Sequence, residues 1–369
     1  MGKCLFTMGY SFKNDYSEGA HPRVLEALTR TNAEQTDGYG TDDYCARARE
    51  RVRTLCNAPK ADVHFLVGGT QANMTVIAAS LRPHQAVLAA HTGHICVHET
   101  GAIEATGHKA VGLASLDGRL SPKAAAEALA AHPDEHMVQP KMVYISDTTE
   151  IGTTYTLGQL EELSAFCRAN GLWLYLDGAR LAMALADGHS GVTLPDLARL
   201  CDVFTIGGTK CGALFGEAVV ITNDALKPDF RYHIKQRGGM LAKGRLLGLQ
   251  FEALLADNLY TELGAHANAM GRRLRDLFTE NDYPMMSDSL TNQQFAVLPD
   301  RLIEALRAAD YRFELQRRVD ETHGAMRFVT SWATPEAAVE QFADDFLRLA
   351  RQCGAWAPWT GRARCAAVR

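Results

Sequence analysis

The sequence has no long hydrophobic run, no excess of positive charge and no paired-cysteine motif. No stretch approaches the ~20 consecutive apolar residues that a membrane-spanning helix needs, so we expect no membrane association. The first residues also lack the apolar core of a secretory signal. The chain has 38 basic and 43 acidic residues, a net charge of -5, which argues against a globally basic nucleic-acid-binding protein.

Nine cysteines are spread along the 369 residues, an odd number without a CxxC pair or a cysteine–histidine spacing typical of metal ligands. In a chain without a signal sequence, reduced thiols are the default. We therefore expect most of the cysteines to be small buried hydrophobic residues, and we expect a cytoplasmic protein without a metal site.

Short apolar segments alternate with helical patterns along most of the chain. Strand-like segments lie at 63–67, 87–90, 142–147, 172–176, 203–206 and 217–222, and helical segments run from Gly68-Gly69 to Leu81 and over 121–132, 158–170 and about 242–280. Several of the strands are continuously apolar, as in parallel sheets that are covered by helices on both faces. The pattern predicts an α/β fold with a mostly parallel central sheet.

The composition divides the chain into three parts. Basic residues cluster at 224–245, and the cluster is either a solvated face or an anion site. We predict a large domain over 1–245, with a connecting helix and a small α+β domain over 246–352. Residues 353–369 show no clear periodicity and are expected to form a loose tail.

Asp177 follows the apolar segment LWLYL, at the predicted carboxyl end of a strand. Ligands of parallel α/β sheets bind outside the carboxyl ends of the strands, so this side chain can face a ligand. A helix cap or a turn before Gly178 is the alternative interpretation.

Lys210 also follows an apolar strand, in the segment FTIGGTKCGA. A desolvated lysine in such a position can serve as a Schiff-base lysine, and a loop lysine in a glycine turn is the alternative. The segment is not a phosphate-binding P-loop, because Thr209 and Cys211 stand where that motif has glycine and serine or threonine.

Asp177 and Lys210 together are more informative than either residue alone. They are 33 residues apart, which leaves room for one helix and one strand, so both can reach the same edge of the sheet. Pyridoxal phosphate (PLP) needs this pair: a lysine for the imine with the cofactor aldehyde, and an aspartate for the protonated pyridine nitrogen.

Two further segments suit such a site. The segment GGTQAN, which begins at Gly68, joins a strand to a helix, where backbone N–H groups and a hydroxyl can hold a phosphate. His94 follows the strand at 87–90 and can stack on a cofactor ring and move protons. A capping or core histidine is one alternative, and metal ligation with His98 is another, although no HExxH motif is present.

The segments GGTQAN, HICVHETGA, LDGARL and GTKCGA, in this order and at these spacings, resemble the threonine aldolase family. The family belongs to the fold-type I PLP-dependent enzymes, close to the β-eliminating lyases. The segments KNDYSEGAHPRVLEAL, DGYGTDD and MRFVTS fit the same family, so the resemblance covers about 11–350. It implies a PLP-dependent aldolase that cleaves a β-hydroxy-L-α-amino acid such as threonine, allo-threonine or phenylserine to glycine and an aldehyde.

The resemblance also implies roles for individual residues. Lys210 would form the imine with PLP, Asp177 would pair with the pyridine nitrogen, and His94 would stack on the ring and act as the base, either directly or through a water molecule. The implied cofactor-binding residues are Gly69, Thr70, Gln71, His94, Asp177, Arg180, Thr209, Lys210 and Lys243. The implied substrate-binding residues are Asn14, Tyr39, His98, Arg180 and Arg327.

Fold-type I sites lie at a subunit interface, so the resemblance implies a homodimer or homotetramer. Tyr39 and a cation near Lys243 would then come from the neighbouring subunit. The main alternative is a PLP-dependent β-eliminating lyase that uses the same Lys210 and Asp177 but releases pyruvate and ammonia. An alternative of another class is a non-catalytic PLP-binding protein.

Overall fold

The structure is a computed structural model that describes residues 9–355. The helices of this range are α1 Pro22–Arg30, α2 Asp43–Leu55, α3 Gly69–Ser80, α4 His94–Val97, α5 Pro122–Ala130, α6 Leu157–Ala169, α7 Leu181–Leu185, α8 Leu194–Leu200, α9 Phe230–Gln236, α10 Arg245–Leu254, α11 Leu259–Glu280, α12 Asp300–Ala308 and α13 Glu336–Gln352. The strands are β1 Asp62–Leu66, β2 Gln85–Ala90, β3 Lys109–Leu113, β4 Gln139–Ser146, β5 Trp173–Asp177, β6 Val203–Gly207, β7 Glu217–Ile221, β8 Gln293–Pro299, β9 Glu314–Arg318 and β10 His323–Val329. None of the described helices is long and apolar enough to cross a membrane.

Seven strands form the central sheet in the order β1-β7-β6-β5-β4-β2-β3. The pairs among β3, β2, β4, β5 and β6 are parallel, whereas β7 is antiparallel to both of its neighbours. Every residue of β2, β6 and β7 is buried, as expected for strands that are covered on both faces. The predicted mostly parallel sheet is therefore confirmed.

Local sequence signals set the ends of several helices. The Ser121 hydroxyl caps α5, with Pro122 at the first helical position. Thr156 and Gln159 form a capping box at the start of α6. The long helical stretch predicted at 242–280 is instead two helices, because Asp257 and Asn258 adopt left-handed backbone angles between α10 and α11.

The small C-terminal sheet is antiparallel, in the order β8-β10-β9. Its core is rich in aromatic side chains and includes Phe12 from the start of the described chain. Phe12 donates its N–H to the Arg312 carbonyl, and its own carbonyl accepts from the Val329 N–H, both at 2.8 Å. The first described residues thus extend this sheet, and they bring the adjacent Asp15 toward the main sheet.

The division at residue 245 stays a prediction, and most of the predicted tail, 356–369, lies outside the described residues. The first residues after α13 pack against the small core. The Ala355 side chain is buried, and its carbonyl accepts a hydrogen bond from the Tyr283 hydroxyl. Ordered structure therefore extends a few residues past the predicted end of the small domain.

Candidate active site

The carboxyl ends of neighbouring parallel strands surround one cavity of about 330 Å³. β2, β4, β5 and β6 lie side by side in the sheet, and the segments after them contribute to this wall. The predicted site residues that line the cavity are Gly69, Thr70, His94, Asp177, Arg180, Thr209 and Lys210. The fold therefore brings together the residues that the sequence places at strand ends, as expected for ligand sites of parallel α/β sheets.

Asp177 is the last residue of β5, and its carboxylate is buried and held by three donors. The Tyr144 hydroxyl donates to Oδ2 at 2.6 Å, and the Asn73 amide donates to the same oxygen at 3.0 Å. The Ala179 N–H donates to Oδ1 at 2.9 Å. Burial and the negative charge of Asp177 raise the pKa of Tyr144 well above its usual value, so this phenol stays a donor.

Lys210 follows β6 on a tight loop. A Cβ atom on Gly207 would come within 2.7 Å of the Gly178 carbonyl, so only glycine lets the two strand ends approach this closely. The Thr209 hydroxyl accepts the Gly216 N–H at 3.1 Å and closes the loop. Within residues 9–355 the Lys210 amine has no hydrogen bond or ion pair, and burial and then the charge of Arg180 lower its pKa.

Arg180 is fixed by a buried ion pair with Asp15. Its Nε and one terminal nitrogen donate to the two carboxylate oxygens at 2.7 and 3.1 Å, and the Asn292 amide adds a third bond to Asp15 at 2.9 Å. Burial alone would raise the pKa of Asp15, but the positive charges of Arg180 and Lys210 lower it below its ordinary value. The bidentate contact sets the plane of the guanidinium at the cavity wall.

His94 begins helix α4, and its ring is oriented by a buried carboxylate. The Nδ1 atom lies 2.8 Å from Oε1 of Glu99, which also accepts the Asn73 amide at 2.7 Å. A carboxylate only accepts hydrogen bonds, so Nδ1 carries a proton and Nε2 is left as the acceptor in the neutral ring. The backbone N–H of His94 donates to Glu150 at 2.7 Å, and the His98 ring lies 5.4 Å away.

The amino end of helix α3 forms an open cradle beside these groups. No side chain caps the helix, and a Cβ atom placed on Gly68 or Gly69 would meet no atom within 4 Å. The first N–H groups of a helix lack partners within the helix, so they are available to an anion there. The Gln71 side chain is directed elsewhere, since its amide donates to the Arg237 carbonyl at 3.0 Å and supports the loop behind the cradle.

Arg327 does not line the cavity wall. It lies on β10, and one terminal nitrogen donates to Glu314 of the neighbouring strand β9 at 2.6 Å, while its Nε atom is buried without a hydrogen-bond partner among the residues that the structure describes. Burial and then the charge of His94 lower the pKa of His98, and the charges of Arg327, Arg180 and Lys210 act in the same direction. The two predicted substrate residues, Arg327 and His98, are therefore near enough to interact electrostatically.

The remaining predicted residues lie apart from the cavity wall. The Asn14 side chain accepts from the Tyr16 N–H and closes a turn. Tyr39 is half exposed, and its N–H donates to the Ala242 carbonyl. The exposed Lys243 directly follows Ala242 in the chain. Tyr39 and Lys243 thus share one surface region, as the predicted contribution from a neighbouring subunit requires.

Several polar residues of the site are not among those predicted from the sequence. They are Asp15, Asn73, Glu99, Tyr144 and Glu217. Glu99 and Asn73 lie inside the segments HICVHETGA and GGTQAN. A polar residue in such a segment, close to a predicted site residue, is a sequence pattern that can indicate a partner of that residue. No local signal identifies Asp15, because its partner Arg180 is 165 residues away.

The family comparison agrees with this architecture. The family model described as beta-eliminating lyase matches residues 16–301, about three quarters of the chain. The fold is that of PLP-dependent enzymes of fold type I. For example, a solved aspartate aminotransferase from Thermus thermophilus superposes with a TM-score of 0.68 at 14% identity, covering 93% of this chain and 92% of that one. The chain therefore belongs to the beta-eliminating lyase family.

Within that family, the relatives with higher identity carry one name. Low-specificity L-threonine aldolase from Pseudomonas sp. strain NCIMB 10558 is 33% identical over 341 residues, which is 90% of this chain and 96% of the relative. The enzyme of the same name from Pseudomonas aeruginosa is also 33% identical, with the same coverage. A solved structure of threonine aldolase from Leishmania major is 48% identical, with a TM-score of 0.91 over 92% of this chain and 99% of that one. The resemblance to threonine aldolases is confirmed.

Proposed function

We propose that the protein is a PLP-dependent aldolase that cleaves a β-hydroxy-L-α-amino acid to glycine and an aldehyde. The observation that carries this proposal is the convergence of Lys210, Asp177 and the open end of helix α3 on one cavity. The names of the relatives support the carbon–carbon cleavage over other PLP-dependent reactions.

The residues of the cavity fit PLP. The uncapped helix end with Gly69 and Thr70 suits the phosphate, the Asp177 carboxylate suits the pyridine nitrogen, and the unpaired Lys210 amine suits a covalent bond to the aldehyde carbon. When bound, PLP supplies an electron sink for the negative charge that develops on the α-carbon of the substrate. Thr209 would act by holding the loop of Lys210 in place, and Gln71 by supporting the phosphate cradle.

Two arginines would bind the amino acid carboxylate. Arg180 lines the cavity with its guanidinium plane fixed by Asp15, and Arg327 lies further out with an Nε–H that has no partner. A guanidinium can bind a carboxylate through two parallel hydrogen bonds and fix the direction of the Cα–Cβ bond. Asn14 and His98 would contact the same end of the substrate.

His94 would remove the proton of the β-hydroxyl group. Glu99 holds the ring through Nδ1, so Nε2 is the free acceptor in the neutral imidazole, and the positive charge that forms on the ring is compensated by the carboxylate. The proton leaves the hydroxyl oxygen for Nε2, the carbonyl of the aldehyde forms, and the electron pair of the broken Cα–Cβ bond stays on the glycine fragment.

We further propose an assembly of two or four copies with active sites at the subunit interface, where Tyr39 and Lys243 of one subunit complete the site of the other. This proposal accounts for a half-exposed tyrosine beside a lysine outside the cavity wall. The large domain (1–245), the small domain (246–352) and the cytoplasmic location stay predictions from the sequence.

The decisive experiment incubates the purified protein and PLP with L-threonine, L-allo-threonine and L-phenylserine, and measures glycine and the aldehyde. Equal amounts of the two products support the aldolase. Release of ammonia and a 2-oxo acid that keeps all the carbons of the substrate (2-oxobutanoate from the two threonines, phenylpyruvate from phenylserine) would instead identify a β-eliminating lyase. Binding of PLP without any product would identify a non-catalytic PLP-binding protein.

A further inference from the structure

A second buried carboxyl group lines the cavity, and the aldolase chemistry above does not use it. Glu217 is the first residue of β7 and pairs with Gly207 of β6 and Leu66 of β1. Its side chain is 3% exposed, and its Oε2 atom has no hydrogen-bond partner among residues 9–355. A buried carboxyl with an unpaired oxygen is costly unless its proton or a nearby charge compensates it.

Charged and polar groups from two elements act on Glu217. Lys210 and Thr209 lie on the loop after β6, and Asp177 ends β5. The other ionisable groups that respond to the charge of Glu217 are Tyr175, Tyr260 and Cys211, all of which are buried. Lys210 is therefore the cation that acts on Glu217, and the two side chains line the same cavity without forming an ion pair.

Two opposing effects act on this pair. Burial raises the pKa of Glu217 well above its usual value, with a contribution from Asp177, and it lowers the pKa of Lys210. Both shifts favour a free amine beside a protonated carboxyl. The mutual attraction of the two charges acts in the other direction, since Lys210 lowers the pKa of Glu217 and Glu217 raises that of Lys210. Two groups that interact in this way lose their protons as a pair rather than separately.

We propose that Glu217 is a positioning residue that shares one proton with Lys210, so that the lysine becomes a free amine when the proton moves to the carboxyl. In this step an N–H bond of the ammonium breaks, its electron pair stays on Nζ, and the proton forms an O–H bond with the carboxylate oxygen of Glu217. No proton has to leave the site. The free amine is the form that can bond to an aldehyde carbon. Only this use of the amine rests on the proposed function.

The test measures the reactivity of Lys210 in the full-length protein without PLP. The protein is labelled with trinitrobenzenesulfonate from about pH 5 to about pH 10, which lies between the ordinary pKa values of glutamate and lysine, and the labelled peptide is quantified by mass spectrometry. In the wild type the labelling of Lys210 should rise in two steps. In Glu217→Gln the labelling of Lys210 should rise in one step and at lower pH, because the charge of Glu217 no longer favours the ammonium form, with labelling about tenfold faster at the low-pH end of the curve.

Glu150→Gln is the matched control. Glu150 lines the same cavity, and burial raises the pKa of its carboxyl, but it is not among the groups that act on Lys210. The control should keep the two-step curve. Superimposable curves for the wild type and Glu217→Gln would overturn the proposal. Because no substrate or cofactor is present, this outcome is independent of whether the protein forms glycine.

Infrared spectroscopy provides a second measurement on the wild type itself. The difference between the wild-type and Glu217→Gln spectra at neutral pH should contain the C=O band of a protonated carboxyl group. A difference spectrum with only carboxylate bands would show that Glu217 holds no proton, and the proposal would be wrong.

Discussion

The cavity has two walls of opposite character. The histidine wall presents His94 and Asp177 to the cavity, and Glu99 and Asn73 behind it connect these two residues through hydrogen bonds of 2.7–3.0 Å. The lysine wall consists of Lys210 and Glu217, whose ionisable groups line the same cavity without an ion pair between them. The first wall fixes positions, because each bond restrains its neighbour. The second leaves the amine free to change its protonation and its covalent partner.

The largest effect on activity is expected when the reactive group of the lysine wall is removed. Lys210→Ala should abolish the visible absorption of the PLP-loaded protein and lower glycine formation by at least about 10³-fold, because no other described amine lines the cavity. Absorption spectra and turnover with L-threonine measure both effects. Lys227→Ala, at the surface with Asp224, is the control and should change neither. Retained turnover in Lys210→Ala would contradict the role of Lys210 as the lysine that bonds to PLP.

The next largest effect is expected from the histidine wall. Asp177→Asn keeps the size of the side chain but removes the charge that would pair with a protonated ring nitrogen, so turnover should fall by about 10²–10³-fold. The affinity for PLP, measured by fluorescence titration, should fall as well. Asp202→Asn is the control, because Asp202 accepts hydrogen bonds from the Leu174 N–H and from Asn223 at the opposite end of the strands. Equal losses in the two variants would indicate a structural role.

The main residues of both walls could be predicted from the sequence. Asp177, Lys210 and His94 follow apolar strands, and strand order alone brings such positions to one edge of a parallel sheet. The apolar pattern does not predict strand β3, because Lys109 and Gly112 interrupt it in this strand at the edge of the sheet. The break between α10 and α11 was also missed, since the apolar periodicity continues through Asp257 and Asn258 and only their backbone angles reveal it.

The partners of the site residues could not be predicted. Asp15 reaches Arg180 only because the first described residues join the small sheet, a long-range contact without any local pattern. Glu217 begins a strand that is otherwise apolar, and the sequence does not show whether its side chain is solvated or buried. The sequence therefore identifies the groups that face a ligand, but the second layer that sets their charge and orientation depends on tertiary packing.

A smaller effect is expected from the middle of the histidine wall. Glu99→Gln keeps the length of the side chain but removes the charge that balances a protonated His94, and its amide would face the buried position where Oε2 has no partner. The turnover number should fall by about 10–100-fold, as for other residues that orient a functional histidine, with a smaller change in KM.

The control for Glu99→Gln is Glu104→Gln, an exposed residue of the next turn. NMR of the His94 Nδ1 proton distinguishes loss of orientation from general destabilisation. The resonance should shift or broaden in Glu99→Gln and stay in place in Glu104→Gln. An unchanged Nδ1 resonance with reduced turnover would contradict the orienting role.

The smallest effect on activity is expected at Asp147, a second buried aspartate next to a strand of the site. Asp147 directly follows β4, and its N–H donates to the Asp177 carbonyl. Both carboxyls are buried, but Asp177 has three donors, whereas neither side-chain oxygen of Asp147 has a hydrogen-bond partner in the described part of the chain. Burial, with a contribution from Asp187, raises the pKa of Asp147 from 3.8 to about 8. The folded protein should therefore hold Asp147 protonated at neutral pH.

This protonation has a defined sign in stability. The unfolded chain releases the proton near its ordinary pKa, whereas the folded chain keeps it until about pH 8, so the contribution of Asp147 is fully present below pH 3.8 and is lost as pH rises to about 8. The slope is at most about 1.4 kcal/mol per pH unit. Asp147→Asn removes this dependence. Urea unfolding should show the variant gaining stability over the wild type as pH rises, with turnover little changed. A stability difference that is constant with pH would show that Asp147 is ionised in the folded protein. Asp147 and Asp177 would then not differ in their protonation.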